Sequence, residues 1–155
     1  MLILHIVNSP KVYQALQTEI DASIHDGKVS RPVLSDDDTK SLPYLQAVIN
    51  EGLRTFPPVT GLNSKVVPPG GDTVDGIFLP QGTKVGICYV GLTRNTSVFG
   101  ADASSFRPER WLDASVEDAA RMGAYKDWVF GYGKYVCLGK RVVLMELHKV
   151  IFEVC

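Results

Sequence analysis

The sequence predicts a mainly helical chain with a small β-sheet, an α+β arrangement, and three observations carry that expectation. Apolar residues recur at helical spacing in three stretches: Val12, Leu16 and Ile20; then Leu45, Val48, Ile49 and Leu53; then Met145, Leu147, Val150, Ile151 and Val154. Between the second and third, Asp75-Gly76 separates the short apolar runs Thr73-Val74 and Ile77-Phe78-Leu79, a strong hairpin signal. The 155 residues are 45% hydrophobic and 21% charged, the balance of an ordinary folded domain and not of a disordered or fibrous chain.

Taken in order, Met1-Leu2-Ile3-Leu4-His5-Ile6-Val7 reads as the end of a buried helix. It lacks the basic start and the long apolar run of a secretion signal. Ser9 followed by Pro10 predicts a helix start, with proline at the first helical position, and the helix runs to about Ser23. From Asp26 to Lys40 the composition turns polar, and the run Asp36-Asp37-Asp38 is expected in a solvated connection. A second helix is expected from about Ser41 to Arg54, stopped by Phe56-Pro57-Pro58 because proline offers no amide hydrogen.

A small mixed sheet should follow, from Ser64–Val67, the Asp75-Gly76 hairpin and Thr83–Val90. Gly91 to Trp111 is rich in turn residues, Asp113 to Met122 holds a weak helical pattern, and a long amphipathic helix begins after Leu138. That last pattern reaches Cys155 with no stop signal, so residues 1–155 are expected to form a single partial domain truncated at both ends.

Composition also excludes function classes. A formal net charge of −1 with no basic block argues against nucleic acid as a partner, and no window is apolar for long enough to span a bilayer. Cys88, Cys137 and Cys155 form no CxxC pair, which argues against a disulfide framework or structural zinc and suits an intracellular, reducing compartment. His5, His25 and His148 are scattered without metal-ligand spacing.

The chemistry concentrates at Cys137, within Phe130-Gly131-Tyr132-Gly133-Lys134-Tyr135-Val136-Cys137-Leu138-Gly139. A metal-binding cysteine must be held as thiolate, and the start of a helix offers free amide hydrogens and positive dipole. Gly131 and Gly133 permit a turn that a β-carbon would forbid, and Gly139 removes bulk just past the sulfur, so a flat macrocycle can lie against backbone. Phe130 is placed to pack over the sulfur and exclude water. An isolated cysteine at a helix start would be a structural one. A chance match of Phe, two Gly, Cys and Gly at these offsets, however, is roughly one in a thousand or less.

This segment resembles the haem-binding loop of the cytochromes P450, with Phe130, Gly133, Cys137 and Gly139 at the pattern positions. Glu51-Gly52-Leu53-Arg54 resembles the family's Glu-x-x-Arg, and Phe106-Arg107-Pro108-Glu109-Arg110-Trp111 its Pro-Glu-Arg-aromatic segment. The resemblance covers the whole chain, is closest to fungal members, and implies the C-terminal portion of the P450 fold. It implies Cys137 as the thiolate ligand of a haem iron, and a buried network joining Glu51, Arg54 and Arg110. Lys65 stands where many members place an arginine that reaches a haem propionate. Tyr135 replaces the arginine usual in the loop, so Lys134 is expected to supply the missing charge.

The function so implied is a monooxygenase that inserts one atom of dioxygen into a small hydrophobic organic substrate with electrons from an NADPH-dependent reductase. The parent protein would be anchored to the endoplasmic reticulum membrane by a segment absent here. Two rivals stand beside this reading: a non-catalytic truncated haem-binding fragment, and a thiol enzyme with Cys137 as nucleophile. The second needs a base, and His148, the one candidate in the segment, lies eleven residues further along a helix.

Overall fold

The computed structural model describes residues 1–155. Four helices come first: α1 (Leu2–Val7), α2 (Pro10–His25), α3 (Asp36–Lys40) and α4 (Pro43–Thr55). Helix α1 departs from the expected buried helix. Only Ile6 is buried, while Ile3, Leu4 and Val7 face outward.

In α2, Pro10 occupies the first turn, but Ser9 makes no side-chain capping bond. Val12, Leu16 and Ile20 are all buried, as their spacing demands.

The acidic run is helical rather than a solvated connection. Ser35 Oγ accepts from the Asp38 amide and Asp38 Oδ2 from the Ser35 amide, both at 3.1 Å, closing a capping box. Three aspartates in a first turn also suit the positive end of the helix dipole. Hydrogen bonds from Ser35, and then from the Ser30 amide, hold the Asp38 carboxyl down to about 2.

Helix α4 is the hub, buried over most of its surface and packed against α1, α2 and α3. Its first turn is capped from outside: Glu19 on α2 accepts from the amides of Tyr44 and Leu45, each at 2.8 Å. A carboxylate two helices away therefore satisfies orphan donors that no local side chain reaches.

The β region is two separate antiparallel pairs, not one mixed sheet. Strand β1 (Asn63–Val66) pairs with β4 (Lys84–Ile87) in the register Asn63↔Ile87, Lys65↔Val85. Between them β2 (Asp72–Val74) and β3 (Ile77–Leu79) form the hairpin, with Thr73 opposite Phe78. Asp75 and Gly76 both take positive φ, 50° and 78°, the backbone that matches strand twist in a two-residue turn.

The expected irregular stretch contains short helices α5 (Tyr89–Thr93), α6 (Thr96–Phe99) and α7 (Arg110–Asp113), followed by α8 (Val116–Asp127). Val98, Phe99, Ala103 and Met122 form a small satellite core. The last helix, α9 (Lys140–Val154), lies against α3 and α4. Its buried face is His148, Ile151 and Phe152, whereas Met145, Val150 and Val154 of the expected stripe are exposed. A helix apolar on two faces has no unique inward side in its sequence; the position of α3 decides it.

His148 is buried with Nδ1 3.7 Å from Asp36 Oδ1, too far for a hydrogen bond. Burial holds its pKa below the usual imidazole value, and Lys40 and Lys126 add to the drop, against an opposing pull from Asp36. The unfolded chain thus takes up the proton first. The neutral ring's stability is present above about pH 6.5 and lost as pH falls through it. His148→Gln should therefore shrink the loss of urea midpoint between about pH 7.5 and about pH 5.5 relative to the parent chain. An undiminished loss would show that His148 does not set it.

Candidate functional site

Glu51 and Arg54 sit one turn apart on α4, both with fully buried side chains. Arg54 donates from Nε (2.8 Å) and Nη2 (2.7 Å) to the two oxygens of Glu51, a bidentate pair. Its remaining hydrogens reach the backbone carbonyls of Thr93, Ala103 and Ser105 at 2.9, 2.5 and 2.9 Å. Arg110 at the start of α7 donates from Nε to Glu51 Oε1 (3.1 Å) and from Nη1 to Phe99 O (2.6 Å) and Asp102 Oδ1 (3.0 Å).

Three partners of this network escape a reading of the sequence. The Arg107 amide and the Trp111 indole donate to Glu51 at 2.8 and 3.0 Å, and Asp102 supplies a second carboxylate. Two arginines are thus matched by two carboxylates. The Trp111 signal lay in its position next to Arg110; Asp102 carried none.

The cysteine segment starts where α8 ends. A 3-10 turn (Trp128–Phe130) leads to Gly131, a second (Gly133–Tyr135) follows, and the chain reaches Cys137 two residues before Gly139, the N-cap of α9. The loop folds back on itself: the Cys137 amide donates to the Phe130 carbonyl at 2.7 Å. Gly131 has φ +80°, and a β-carbon there would stand 2.5 Å from the Tyr135 carbonyl oxygen, so glycine is required. Gly133 also has positive φ, +57°. Gly139 does not; its φ is −79°, and a β-carbon would meet the Cys137 sulfur at an ordinary 3.8 Å.

The result is an exposed, free thiol beside an apolar cleft. A recess of about 310 Å³ is lined by Cys137, Phe130, Tyr135, Val143, Val59 and Tyr89 among others. A second recess of about 320 Å³, lined by Lys65, Val85, Ile87, Trp128 and Tyr132, shares Asn63, Tyr89, Gly131 and Tyr135 with it. Lys65 on β1 stands over Tyr135, its Nζ 3.3 Å from the ring centroid, and Lys134 Nζ lies 5.1 Å from the same ring.

The structure therefore brings Cys137, Phe130, Gly131 and Tyr135 to one recess and Lys65 to the adjoining one, with Lys134 near Tyr135. Glu51, Arg54 and Arg110 lie apart from it, inside the fold. His148, the candidate base for a thiol nucleophile, faces Asp36.

No group of three or more His, Cys, Asp or Glu side chains could hold a bare metal ion. A single sulfur suffices only where a macrocycle supplies the other ligands. The wide apolar cleft beside Cys137 fits that case.

A sequence model described as Cytochrome P450 matches residues 1–154. The chain belongs to the cytochrome P450 family. It is 47% identical over 97% of its length to cytochrome P450 monooxygenase ABA1 of Pyricularia oryzae, and 44% identical over 98% to aba1 of Botryotinia fuckeliana. It is 37% identical over 99% to pisatin demethylase of Fusarium vanettenii. The chain spans about 30% of the length of these fungal relatives, a C-terminal portion. Membership of the P450 family implies a haem cofactor. No helix of the chain is long and apolar enough to cross a membrane.

Removing one member of the buried network should be costly, because the remaining charges stay desolvated and unpaired. Glu51→Gln is expected to lower stability by about 3–5 kcal/mol in urea denaturation. A change within about 0.5 kcal/mol, the range of surface substitutions, would show the carboxylate to be dispensable.

Proposed function

We propose that this chain forms the thiolate side of the haem site in a monooxygenase that acts on a small hydrophobic organic molecule. The observation that carries the proposal is the thiol of Cys137, held exposed in an apolar cleft by a loop that only glycine at position 131 allows. When bound, haem supplies the redox chemistry by which one atom of dioxygen enters a substrate.

The chain's own residues divide the remaining work. Cys137 would supply an electron-rich sulfur ligand to the iron; its backbone bond to Phe130 fixes the loop that carries that sulfur. Phe130 and Val143 line the cleft beside the sulfur and, with a macrocycle in place, would help keep water from it, which tunes the metal. Lys65 and the Tyr135 hydroxyl would hold a haem propionate, the ammonium supplying charge and the phenol a hydrogen bond; Lys65 Nζ stands 3.3 Å from the Tyr135 ring centroid. Lys134 stands second in that role, 5.1 Å from the ring that Lys65 covers at 3.3 Å. The buried network takes no part in the chemistry. It holds the segment from Thr93 to Trp111 against α4.

Leu138, Val142, Leu62 and Phe56 are exposed apolar side chains. Surface of this kind is suited to contact with further protein. Turnover is accordingly assigned to a protein of the relatives' length, with electrons from an NADPH-dependent reductase. Family membership supports that partner, and also an intracellular site of action with the whole protein anchored at the endoplasmic reticulum membrane.

The test is a haem titration of the full protein carrying this chain, read by the ferrous–carbonyl spectrum. Thiolate-type absorption is expected, and Cys137→Ser should abolish it; a Cys137→Ser spectrum unchanged from the parent would refute the assignment. Lys65→Ala should weaken haem binding by about fivefold, as for loss of one solvent-exposed charged hydrogen bond, and Lys134→Ala by less. Equal losses at both lysines would remove Lys65 from its place at the rim.

A further inference from the structure

Lysine at the first position of α9 is at the wrong end of a helix. Its charge meets the positive end of the dipole, and the first turn of α9 holds no acidic residue to offset it. The offset comes from outside the helix. Lys140 Nζ donates to Asp127 Oδ2 at 2.7 Å, and Asp127 is the last residue of α8. The residues that flank the cysteine loop, positions 127 and 140, are thus joined directly by a charge pair that spans the whole loop.

Asp127 is itself held. Lys126 Nζ pairs by charge with its other oxygen at 3.1 Å, without hydrogen-bond geometry, and the same Nζ donates to Asn50 Oδ1 at 2.9 Å. Asn50 is the neighbour of Glu51 on α4. A polar chain therefore runs from the hub helix through Asn50, Lys126, Asp127 and Lys140 to the start of the helix that follows Cys137. The Lys126 side chain is only 12% exposed, so its link to α4 is nearly dry. Burial raises the Asp127 carboxyl pKa, but Lys140 and Lys126 together bring it below the usual value.

We propose that Asp127 and Lys140 are positioning residues: an electrostatic clasp that closes the cysteine loop and registers it against α4. The backbone bond from Cys137 to Phe130 closes the loop from within. The clasp joins its two ends and, through Lys126 and Asn50, ties them to the element that also carries the buried network. It acts on where the sulfur stands, not on the sulfur itself. The inference stands on the loop's geometry and does not require the haem reading.

The experiment is hydrogen exchange of the amides in residues 128–139, on the chain at low salt and in about 1 M NaCl, where screening acts within about 3 Å. Asp127→Asn and Lys140→Met should each raise exchange in this segment at low salt by about threefold, as for a half-exposed ion pair. Lys140→Arg should behave as the parent. High salt should raise exchange in the parent but leave Asp127→Asn unchanged, a response that loss of packing alone does not produce.

Exchange in α2 reports whether each variant is folded; if Asp127→Asn is not, Lys140→Met and the salt series on the parent decide. Parent exchange insensitive to salt, or Lys140→Met indistinguishable from the parent, would overturn the clasp. In haem-loaded full protein, Asp127→Asn should also lower the thiolate-type fraction of the carbonyl spectrum. A parent protein that takes up no haem defeats the proposed function alone, since the exchange arm still reads the clasp.

Discussion

One carboxylate, that of Glu51, organises this chain. It is wholly buried, and it accepts from five N–H groups: two on Arg54, one on Arg110, the Arg107 amide and the Trp111 indole. A charge so placed is tolerable only when surrounded by donors in good geometry. The requirement is therefore reciprocal. Helix α4 cannot bury Glu51 unless the segment through α7 is folded onto it, and that segment is otherwise held by its own small apolar cluster of Val98, Phe99 and Ala103 with Met122. Arg54 adds the carbonyls of Thr93, Ala103 and Ser105 to the same knot. Such networks give a unique arrangement more than net stability, because desolvation offsets most of the Coulomb gain.

The cysteine loop solves the opposite problem. Its sulfur must stay accessible, so it cannot be fixed by burial. The chain fixes the backbone instead. The Cys137 amide bonds to Phe130, whose side chain is anchored in the main core, and Gly131 lets the loop return on itself without a clash. Rigidity is thus imported from the core through Phe130 while the thiol stays at the surface of the cleft. The tyrosine at position 135 fits the same plan. Lysine from β1 covers its ring at 3.3 Å, closer than Lys134 of the loop at 5.1 Å, so the nearer cation comes from another element.

Similarity to fungal P450 monooxygenases covers nearly the whole chain but only about a third of those proteins. The distribution of exposed side chains agrees with that partial coverage. The recess bounded by Leu2, Leu53, Phe56 and Val143 is largely apolar, and one of its walls, Val143, is shared with the cleft at Cys137. The exposed apolar surface thus adjoins the proposed haem site.

Local chemistry decided much of this protein in advance. Asp75-Gly76 makes its hairpin because two consecutive positive φ values suit few other residue pairs, and the spacing of Val12, Leu16 and Ile20 leaves α2 one way to lie. Cys137 and its glycines, and the Glu51, Arg54 and Arg110 set, were readable because each depends on residues at short fixed offsets or on a family's pattern. Tertiary structure decided what depends on partners distant in sequence. Two β pairs formed instead of one sheet, and α9 turned His148 inward instead of Val150; the acidic run, by contrast, became α3 through a local cap, Ser35 with Asp38. Asp102 and the link from Asn50 to Lys140 had no signature, because a lone polar residue reveals its partner only when the chain has brought the two within about 3 Å.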